Sequence, residues 1–452
     1  MVDRFHKLRL LYIPSHFPPS ATAGVHRVMR VCRYLPKDAF EIEVLSRNLG
    51  VDPGGQELLK LVESAVSIHR ADLNGKPRAT ASSNDKATAQ LPGAKQSTLK
   101  RWLRWGSTPI RHAREFLLET PDKHVAWVKP MVQLGISICS SRPFDLLMTS
   151  GPPHSIHLVG MHLKKSFGIP WVADFRDPWA RRPWDVVHNP WGQVLLPGYE
   201  RDVVKTADAV LLNTKATHND FVSTYRDLPA SKFYWLPNGM DPDLPASIEP
   251  LLKGRTEYST EKSRKITLCH AGSLYGNRRP DGLLEAMALL KRQGINCRLL
   301  QIGTVDNADL MLKKIEQLGL REDVVCLPSV PHSEVLRFMA EVDFHIVLQP
   351  DGPFMIPGKV YEMIAYPQPI VAICDSPVTI EVVENAGGTY AASRDTEGIA
   401  KAILKAIEMQ HDPQFTQTRV SARCQFDGQK IVERLGGILK SVSRPKNQGE
   451  SV

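Results

Sequence analysis

Lys359 and Glu362 are the residues whose types and spacing first suggest a site for a phosphorylated ligand. A strand predicted over 343–348 leads into a loop rich in Gly and Pro, and a helix is predicted over 359–366. The two charged residues lie three positions apart and therefore share one face of that helix. Backbone N–H groups at a helix start bind phosphate, Lys359 adds a positive charge, and Glu362 can accept hydrogen bonds from a ribose diol. An ordinary strand-to-helix turn with a solvated Lys and Glu would give the same pattern.

A second set of charges, Asp174, Arg176 and Asp177, follows a strand predicted over 171–175 in the segment GIPWVADFRDPW. Ligands of open α/β sheets bind beyond the carboxyl ends of the strands. Three charges within four residues at such a place predict a functional, catalytic role. The alternative is a structural ion pair at the strand end, between Arg176 and one of the aspartates.

The loop that ends at Gly24 joins the first predicted strand, 8–13, to a helix predicted over 25–35. Gly24 permits either a close approach of the backbone to a ligand or a simple entry into the helix, and both interpretations stay open. The loop contains no G-x-G-x-x-G pattern, which argues against a tightly bound nicotinamide cofactor.

The segment HAGSLYGNRRP, residues 270–280, predicts a diphosphate site at the start of the second half. Gly272 and Gly276 permit a close approach of the backbone, and Arg278 and Arg279 supply hydrogen-bond donors. The helix dipole disfavours cations at a helix start, so an anionic ligand is expected to offset them. Two solvated arginines are the alternative.

These segments are positioned by two runs of alternating strands and helices, which predict an α/β fold with two parallel sheets. The first domain is expected over 1–240 and the second over 241–414, with a polar linker over 241–264. Residues 415–452 are predicted to form a helix that crosses back to the first domain, followed by a loose tail.

Individual elements follow from apolar runs and from turn residues. A helix is predicted over 155–167 with Ser155 as its N-cap, a loop over 183–197, and a helix over 200–206. The predicted strands are 8–13, 40–46, 66–69, 145–150, 171–175 and 207–213 in the first half, and 266–271, 297–302, 324–327, 344–348 and 370–373 in the second.

The composition is that of a globular protein whose partner is anionic. Of 452 residues, 42% are hydrophobic and 23% are charged, and no apolar run reaches the roughly 20 residues of a membrane span. The net charge of +9 favours a nucleotide, a lipid surface or a nucleic acid as partner, without choosing among them. Seven scattered cysteines show no metal-binding or redox spacing, so we expect reduced core residues in a cytoplasmic protein.

Two neighbouring stretches in the first half differ from the rest. Residues 71–98 have almost no large apolar side chains and are predicted to be disordered. Residues 99–119 mix aromatic and basic side chains, among them Trp102, Trp105 and Arg104. This composition fits a segment that lies on an anionic membrane surface, and it also fits a helix packed on its own domain with a solvated basic face.

Three motifs resemble the family 4 glycosyltransferases, and in particular a subgroup that makes bacterial surface polysaccharides. The motifs are PGK before YE at 357–362, TSGPPHS with GIPWVADFRDPW, and the PNG turn at 237–239. The resemblance covers most of the chain outside 71–98 and the tail. It implies the GT-B fold, in which two Rossmann-like domains face each other across a cleft. It also implies a retaining transfer from a nucleoside-diphosphate sugar, with no metal or other cofactor.

The resemblance further implies roles for individual residues at the donor site. Gly24 and Gly272, which permit a close approach of the backbone, are counted with that site. Lys359 and Arg278 would hold the diphosphate, and Glu362 matches the family glutamate that holds the ribose. Ser273 stands where relatives carry an arginine. Phe354 stands where relatives carry a further glutamate, whose carboxylate usually contacts the donor sugar.

On the acceptor side, the resemblance implies that Asp174, Arg176 and Asp177 line the cleft, with Arg176 near the place of a family histidine. The acceptor is then expected to be a glycan on a lipid carrier, and the anionic partner a nucleotide sugar rather than a nucleic acid. A lipid-linked acceptor would make binding at the inner face of the plasma membrane useful.

Two other functions fit parts of the sequence. A nucleotide-sugar 2-epimerase shares the two-domain architecture but needs neither an acceptor nor a basic aromatic segment. A non-catalytic protein that binds nucleotide sugars would agree with Phe354 in place of a carboxylate. Release of the nucleoside diphosphate with and without acceptor separates the three.

Overall fold

The computed structural model describes residues 7–22, 24–52, 54–73, 120–181, 190–253, 265–350, 352–410 and 412–443. Two parallel sheets, of seven and six strands, form the centres of two domains that meet at a cleft. Helices cover the faces of both sheets, so the predicted α/β architecture with two Rossmann-like domains is confirmed.

The first sheet has the strand order β3-β2-β1-β4-β5-β6-β7, and every pairing is parallel. Its inner strands are continuous apolar runs because both faces are buried under helices, as the LLYI of the first strand illustrates. The strands are β1 (Leu8–Pro14), β2 (Phe40–Arg47), β3 (Ser67–Ala71), β4 (Leu146–Gly151), β5 (Trp171–Phe175), β6 (Ala209–Leu212) and β7 (Phe233–Trp235).

The helices of this half alternate with the strands along the chain. They are α1 (Val25–Tyr34), α2 (Gly55–Lys60), α3 (Val128–Ser141), α4 (Ile156–Phe167), α5 (Pro190–Thr206) and α6 (Lys215–Thr224). The next helix, α7 (Leu244–Leu252), packs in the core of the second domain.

The second sheet has the order β10-β9-β8-β11-β12-β13, again with parallel pairings throughout. Its strands are β8 (Ile266–Ala271), β9 (Cys297–Ile302), β10 (Val324–Leu327), β11 (Phe344–Gln349), β12 (Ile370–Cys374) and β13 (Thr389–Ala391). Its helices are α8 (Asp281–Arg292), α9 (Ala308–Gln317), α10 (His332–Glu341), α11 (Gly358–Met363), α12 (Pro377–Asn385), α13 (Thr396–Met409), α14 (Pro413–Gln425) and α15 (Gly428–Ser443).

Several predicted boundaries need correction. Helix α5 begins at Pro190, ten residues before the predicted start, and it tolerates Pro197 in its interior. The predicted linker contains α7, which Pro245 starts by occupying its first turn. Strand β3 extends to Ala71, which is buried, so the low-complexity stretch begins after it. Most of that stretch and the basic aromatic segment lie outside the described residues.

Ser155 occupies the N-cap position of α4, but its side chain does not cap the helix. The Asp122 carboxylate accepts hydrogen bonds from the Ser155 N–H and from its hydroxyl, both at 2.8 Å. A carboxylate from a distant loop therefore satisfies a helix terminus that the sequence assigned to the serine.

The chain crosses between the domains at two adjacent places. The Met240 N–H donates to the Phe426 carbonyl at 2.8 Å, and the Gly428 N–H donates to the Met240 carbonyl at 2.9 Å. A Cβ at Gly428 would lie 2.4 Å from that carbonyl, so only glycine permits the contact. After this point, α15 packs against α1 and places Leu435 and Leu439 in the core of the first domain.

All seven cysteines are free thiols, and five of them are buried as predicted. Cys326 and Cys424 are exposed, which corrects the expectation of seven core residues. Within the described ranges, every helix is too short or too polar to cross a lipid bilayer.

Candidate active site

A cleft cavity of about 1220 Å³ lies where the carboxyl ends of the two sheets face each other. The loops after β1, β4 and β5 form its first-domain wall, and the loops after β8 and β11 form its second-domain wall. In each sheet the strand order reverses beside the first strand, between β1 and β4 and between β8 and β11. The cavity therefore lies where open α/β sheets bind their ligands.

Lys359 and Arg278 bring positive charge to the second-domain wall. Lys359, in the first turn of α11, makes no hydrogen bond or ion pair to any residue that the structure describes. Burial lowers its pKa; Glu362 opposes this effect and Arg278 adds to it. Arg278 stacks over Tyr275 and donates a hydrogen bond to the neutral amide of Gln349. Two partly buried cations without a bonded carboxylate form a site for an anion.

Arg279 differs from its neighbour and does not line the cavity. Its guanidinium Nε donates to the Asp281 carboxylate at 2.7 Å on the exposed start of α8. The sequence interpretation that both arginines supply donors for a diphosphate is therefore corrected to Arg278 alone. The acidic first-turn residue offsets the unfavourable position of Arg279 at the helix start.

Glu362 lies one turn after Lys359 and faces the first domain across the cavity. Arg30 and His26, both on α1, lie on the opposite wall. Burial lowers the pKa of each side chain, and the negative charge of Glu362 offsets part of that effect. The pKa of Arg30 falls to about 10, and the Arg30 guanidinium has no hydrogen bond or ion pair among the described residues. The rings of His26 and His332 lie 5.8 Å apart across the cleft. Glu362 is therefore held near positive charge from the other domain.

Gly272 and Ser273, which the sequence analysis assigned to the donor site, follow β8 and line the cavity. The Gly272 N–H donates to the Ile302 carbonyl at 2.8 Å, which fixes the loop against the neighbouring strand. The Ser273 hydroxyl accepts a hydrogen bond from Thr304 at 2.8 Å. These contacts hold the loop against β9 and the residues that follow it, in the same cavity lining as Arg278 and Lys359.

His270 is a cavity residue that sequence reasoning did not identify. The residue is 95% buried, and its Nδ1 lies 2.7 Å from Oε1 of Gln301. The only sequence signal was a histidine at the end of an apolar strand, which is too common a feature to suggest a role.

Arg176 and Gly24 meet on the first-domain wall. The Arg176 guanidinium donates to the carbonyls of Gly151 and Pro152 and to the Ser15 hydroxyl, while its Nη1 bonds to no described residue. A Cβ at Gly24 would lie 2.2 Å from that Nη1. Glycine therefore leaves room for the guanidinium of Arg176, which would have to move for any larger side chain, a reason that neither sequence interpretation included.

Asp174 does not occupy the cavity wall, which corrects the expectation for its position. Its side chain is fully buried and forms a two-pronged ion pair with Arg27, with N–O distances of 2.9 and 3.0 Å. The Ser150 hydroxyl donates to it at 2.7 Å. The alternative of an ion pair between Arg176 and an aspartate is wrong for Asp174, because Arg27 of α1 forms that pair. Asp177, three residues later, is half-buried and lines the cavity.

His16 and the loop 120–124 are further cavity residues that the sequence did not reveal. Burial together with the positive charge of Arg47 lowers the pKa of His16 to about 3, so this ring is neutral. His124 contacts the Arg47 guanidinium through Nδ1, and burial likewise lowers its pKa. These histidines come from separate loops with no motif spacing.

Two family models match the chain. The model described as "Glycosyl transferase 4-like domain" matches residues 22–239, and the model described as "Glycosyl transferases group 1" matches residues 256–421. The chain is a GT-B glycosyltransferase of the family 4-like type. The resemblance drawn from the three motifs is thereby confirmed at the level of the family. No curated protein is similar enough in sequence to match.

Solved glycosyltransferases share the fold of this glycosyltransferase at low sequence identity. Alr3699/HepE from Anabaena, solved with UDP and with UDP-glucose, superposes with a TM-score of 0.64 in the UDP complex, at 15% identity over 96% of this chain and 100% of that one. A glycosyltransferase from Rickettsia africae gives 0.63 at 13% identity over 98% and 100%. WaaG, involved in lipopolysaccharide biosynthesis, gives 0.56 at 16% identity over 95% and 99%.

Proposed function

We propose that this glycosyltransferase moves a hexosyl group, with retention of configuration, from a nucleoside-diphosphate sugar to a lipid-linked glycan acceptor in polysaccharide biosynthesis. The observation that carries the proposal is the pair of cations Arg278 and Lys359 on the cavity wall, neither bonded to a carboxylate among the described residues. The complexes of Alr3699/HepE with UDP and UDP-glucose support a uridine nucleotide as the first donor to test.

The donor fits the second-domain wall by charge. The diphosphate would lie between Arg278 and Lys359, with Gly272 and Ser273 beside it, and Glu362 would accept hydrogen bonds from the ribose hydroxyls. In the transfer, the bond between the anomeric carbon and the phosphate oxygen breaks, and its electron pair stays on the departing diphosphate. The two cations stabilise that charge, which is larger in the transition state than in the bound donor.

The acceptor fits the first-domain wall. The acceptor hydroxyl forms the new bond to the anomeric carbon, and its proton passes to a base, for which Asp177 is the candidate carboxylate. Arg176, with Nη1 uncommitted, and Arg30 supply positive charge on the same wall, which suits an acceptor that carries a phosphate. Asp174 acts indirectly in this scheme, because its carboxylate is bound to Arg27.

The decisive experiment measures release of the nucleoside diphosphate from UDP-, GDP- and dTDP-sugars with and without a lipid-linked glycan extract. A transferase releases it faster when the extract is present, whereas an epimerase would convert the donor into its 2-epimer with or without the extract. NMR of the purified product would then establish the anomeric configuration. Binding with neither release nor epimerisation in every reaction would contradict catalysis and leave a nucleotide-sugar-binding protein.

A further inference from the structure

The hydrogen bonds around His270 determine which of its ring nitrogens carries the proton. The Gln301 side-chain N–H donates to the Gly272 carbonyl at 2.7 Å, and a carbonyl can only accept. This fixes the amide so that its Oε1 faces Nδ1 of His270 at 2.7 Å, and Nδ1 must therefore carry the hydrogen. In a neutral ring, Nε2 is then left with a lone pair and is an acceptor.

The surroundings of His270 keep the ring neutral. Burial lowers its pKa to about 4, and the positive charges of Arg278 and Lys359 oppose protonation further, although the Gln301 bond favours it. Among the described residues, Nε2 has no hydrogen-bond partner, and His270 belongs to the cavity wall. The cavity wall thus contains a fixed acceptor beside the cations Arg278 and Lys359.

We propose that Nε2 of His270 accepts a hydrogen bond from a hydroxyl group of the bound nucleotide sugar. This inference rests on the proposed function and adds a contact that selects for a hydroxyl. A phosphate oxygen that carries no proton cannot satisfy a lone pair, whereas the ribose and the transferred sugar both present O–H groups. The hydroxyl that donates to Nε2 could belong to the ribose or to the transferred sugar. Comparing a nucleoside diphosphate with its sugar derivative distinguishes the two.

Two substitutions separate the ring nitrogens. In His270→Asn, the side-chain amide nitrogen takes the place of Nδ1 and retains the bond to Gln301, while the acceptor at Nε2 is lost. In His270→Gln, the amide reaches the position of Nε2 and can present an oxygen there. A lost hydrogen bond between neutral groups predicts about tenfold weaker binding for the Asn variant and a smaller loss for the Gln variant.

The wild type is first tested by calorimetry with UDP-glucose, GDP-mannose and dTDP-glucose, and the tightest ligand and its nucleoside diphosphate are used thereafter. A loss in His270→Asn for both ligands assigns the contact to the nucleoside part, where the ribose carries the hydroxyl groups, and a loss for the nucleotide sugar alone assigns the sugar hydroxyl. Unchanged affinity for both ligands would overturn the inference while leaving the proposed function intact. Failure of the wild type to bind any of them would overturn both.

A rival arrangement is an imidazolium that donates to the diphosphate. Calorimetry in two buffers of different ionisation enthalpy would then show proton uptake by the wild type that His270→Asn lacks, and that result would also reject the inference. Nitrogen-15 NMR of the wild-type ring needs no variant to fold. Nε2 should remain unprotonated when the ligand is added, and a protonated Nε2 in the complex would contradict the assignment.

Discussion

Single side chains in the cavity are arranged so that a ligand completes their hydrogen bonds and charges. Burial lowers the pKa of Lys359, and Arg278 lies close enough for its positive charge to lower that pKa further. A diphosphate between them would remove that conflict, because each cation would gain a charge-assisted hydrogen bond. At the scale of the residue, the proposed diphosphate would thus be held by two charges.

The first prediction tests this clamp. Lys359→Ala and Arg278→Ala should each weaken donor binding by about 1.5–3 kcal/mol, the range for hydrogen bonds to charged groups. Isothermal titration with the preferred nucleotide gives the affinities. Arg279→Ala is the matched control, since Arg279 is exposed and paired with Asp281, and its affinity should equal that of the wild type. Full affinity in both clamp variants would place the diphosphate elsewhere.

The second prediction separates Asp177 from its neighbour Asp174. Asp177→Asn retains the shape and removes the charge, so kcat should fall by about a hundredfold or more while the melting temperature stays near that of the wild type. Asp174→Asn should mainly lower the melting temperature, because it leaves the buried Arg27 without its carboxylate. If Asp177→Asn instead retained turnover and melted early, its role would be structural.

At the scale of elements, Arg27 joins three parts of the first domain. From α1 it pairs with Asp174 at the end of β5, and it donates to the carbonyls of Leu236 and Pro237 and to the Asn238 side chain. Those last residues form the segment that crosses to the second domain. One buried guanidinium therefore fixes the position from which the crossing starts.

The third prediction concerns this junction. Arg27→Met leaves Asp174 buried and unpaired, so the free energy of unfolding should drop by about 3–5 kcal/mol. Denaturant titration followed by tryptophan fluorescence measures it. Arg33→Met on the same helix removes only partly exposed pairs with Asp241 and Asp243, and should cost at most about 1 kcal/mol. Equal losses in the two variants would mean that the buried pair has no special weight.

The sequence predicted strands best where a short apolar run is bounded by polar or turn residues. Strands β8, β9 and β10 begin and end at the predicted residues, and α1 and α4 each differ from the predicted helix by one residue at one end. The start of α5 was missed because Pro190 and Pro197 indicate a loop locally, while the structure accommodates both in one helix. Local patterns cannot show what tertiary packing tolerates.

The candidate site was predictable only in part, for the same reason. Lys359, Glu362 and Arg278 could be found because each stands beside a Gly- or Pro-rich loop after a strand. The burial of Asp174 depends on Arg27, which lies 147 residues earlier, and no local pattern contains that pair. The His270–Gln301 contact depends on the register of β8 against β9, in which these two residues are direct neighbours.

At the scale of the molecule, the excess of positive charge raises the question of where the protein works. The chain carries a net charge of +9, and residues 99–119, outside the described ranges, combine Trp and Arg. An anionic lipid surface would attract such a segment, and salt would weaken the attraction. A membrane-bound acceptor would then be presented to the enzyme at its source.

The fourth prediction follows from that charge. Sedimentation with vesicles containing phosphatidylglycerol should fall in the variant Trp102→Ala with Arg104→Ala, and it should fall for the wild type as salt is added. Arg321→Ala with Val325→Ala, on exposed parts of the second domain, is a control that removes one arginine and one apolar side chain. Equal binding to neutral and anionic vesicles would exclude the electrostatic contribution.

The return of α15 to the first domain has a consequence for the order of events during synthesis. The apolar surface of α1, with Val28 and Leu35, is covered by Leu435 and Leu439, which leave the ribosome about four hundred residues later. The nascent first domain must therefore wait, with part of its core open to water, while the whole second domain is translated. Chaperones that bind exposed apolar surface therefore have their longest access to this face of α1. A ribosome that stalls before α15 leaves a product whose first domain cannot bury that face.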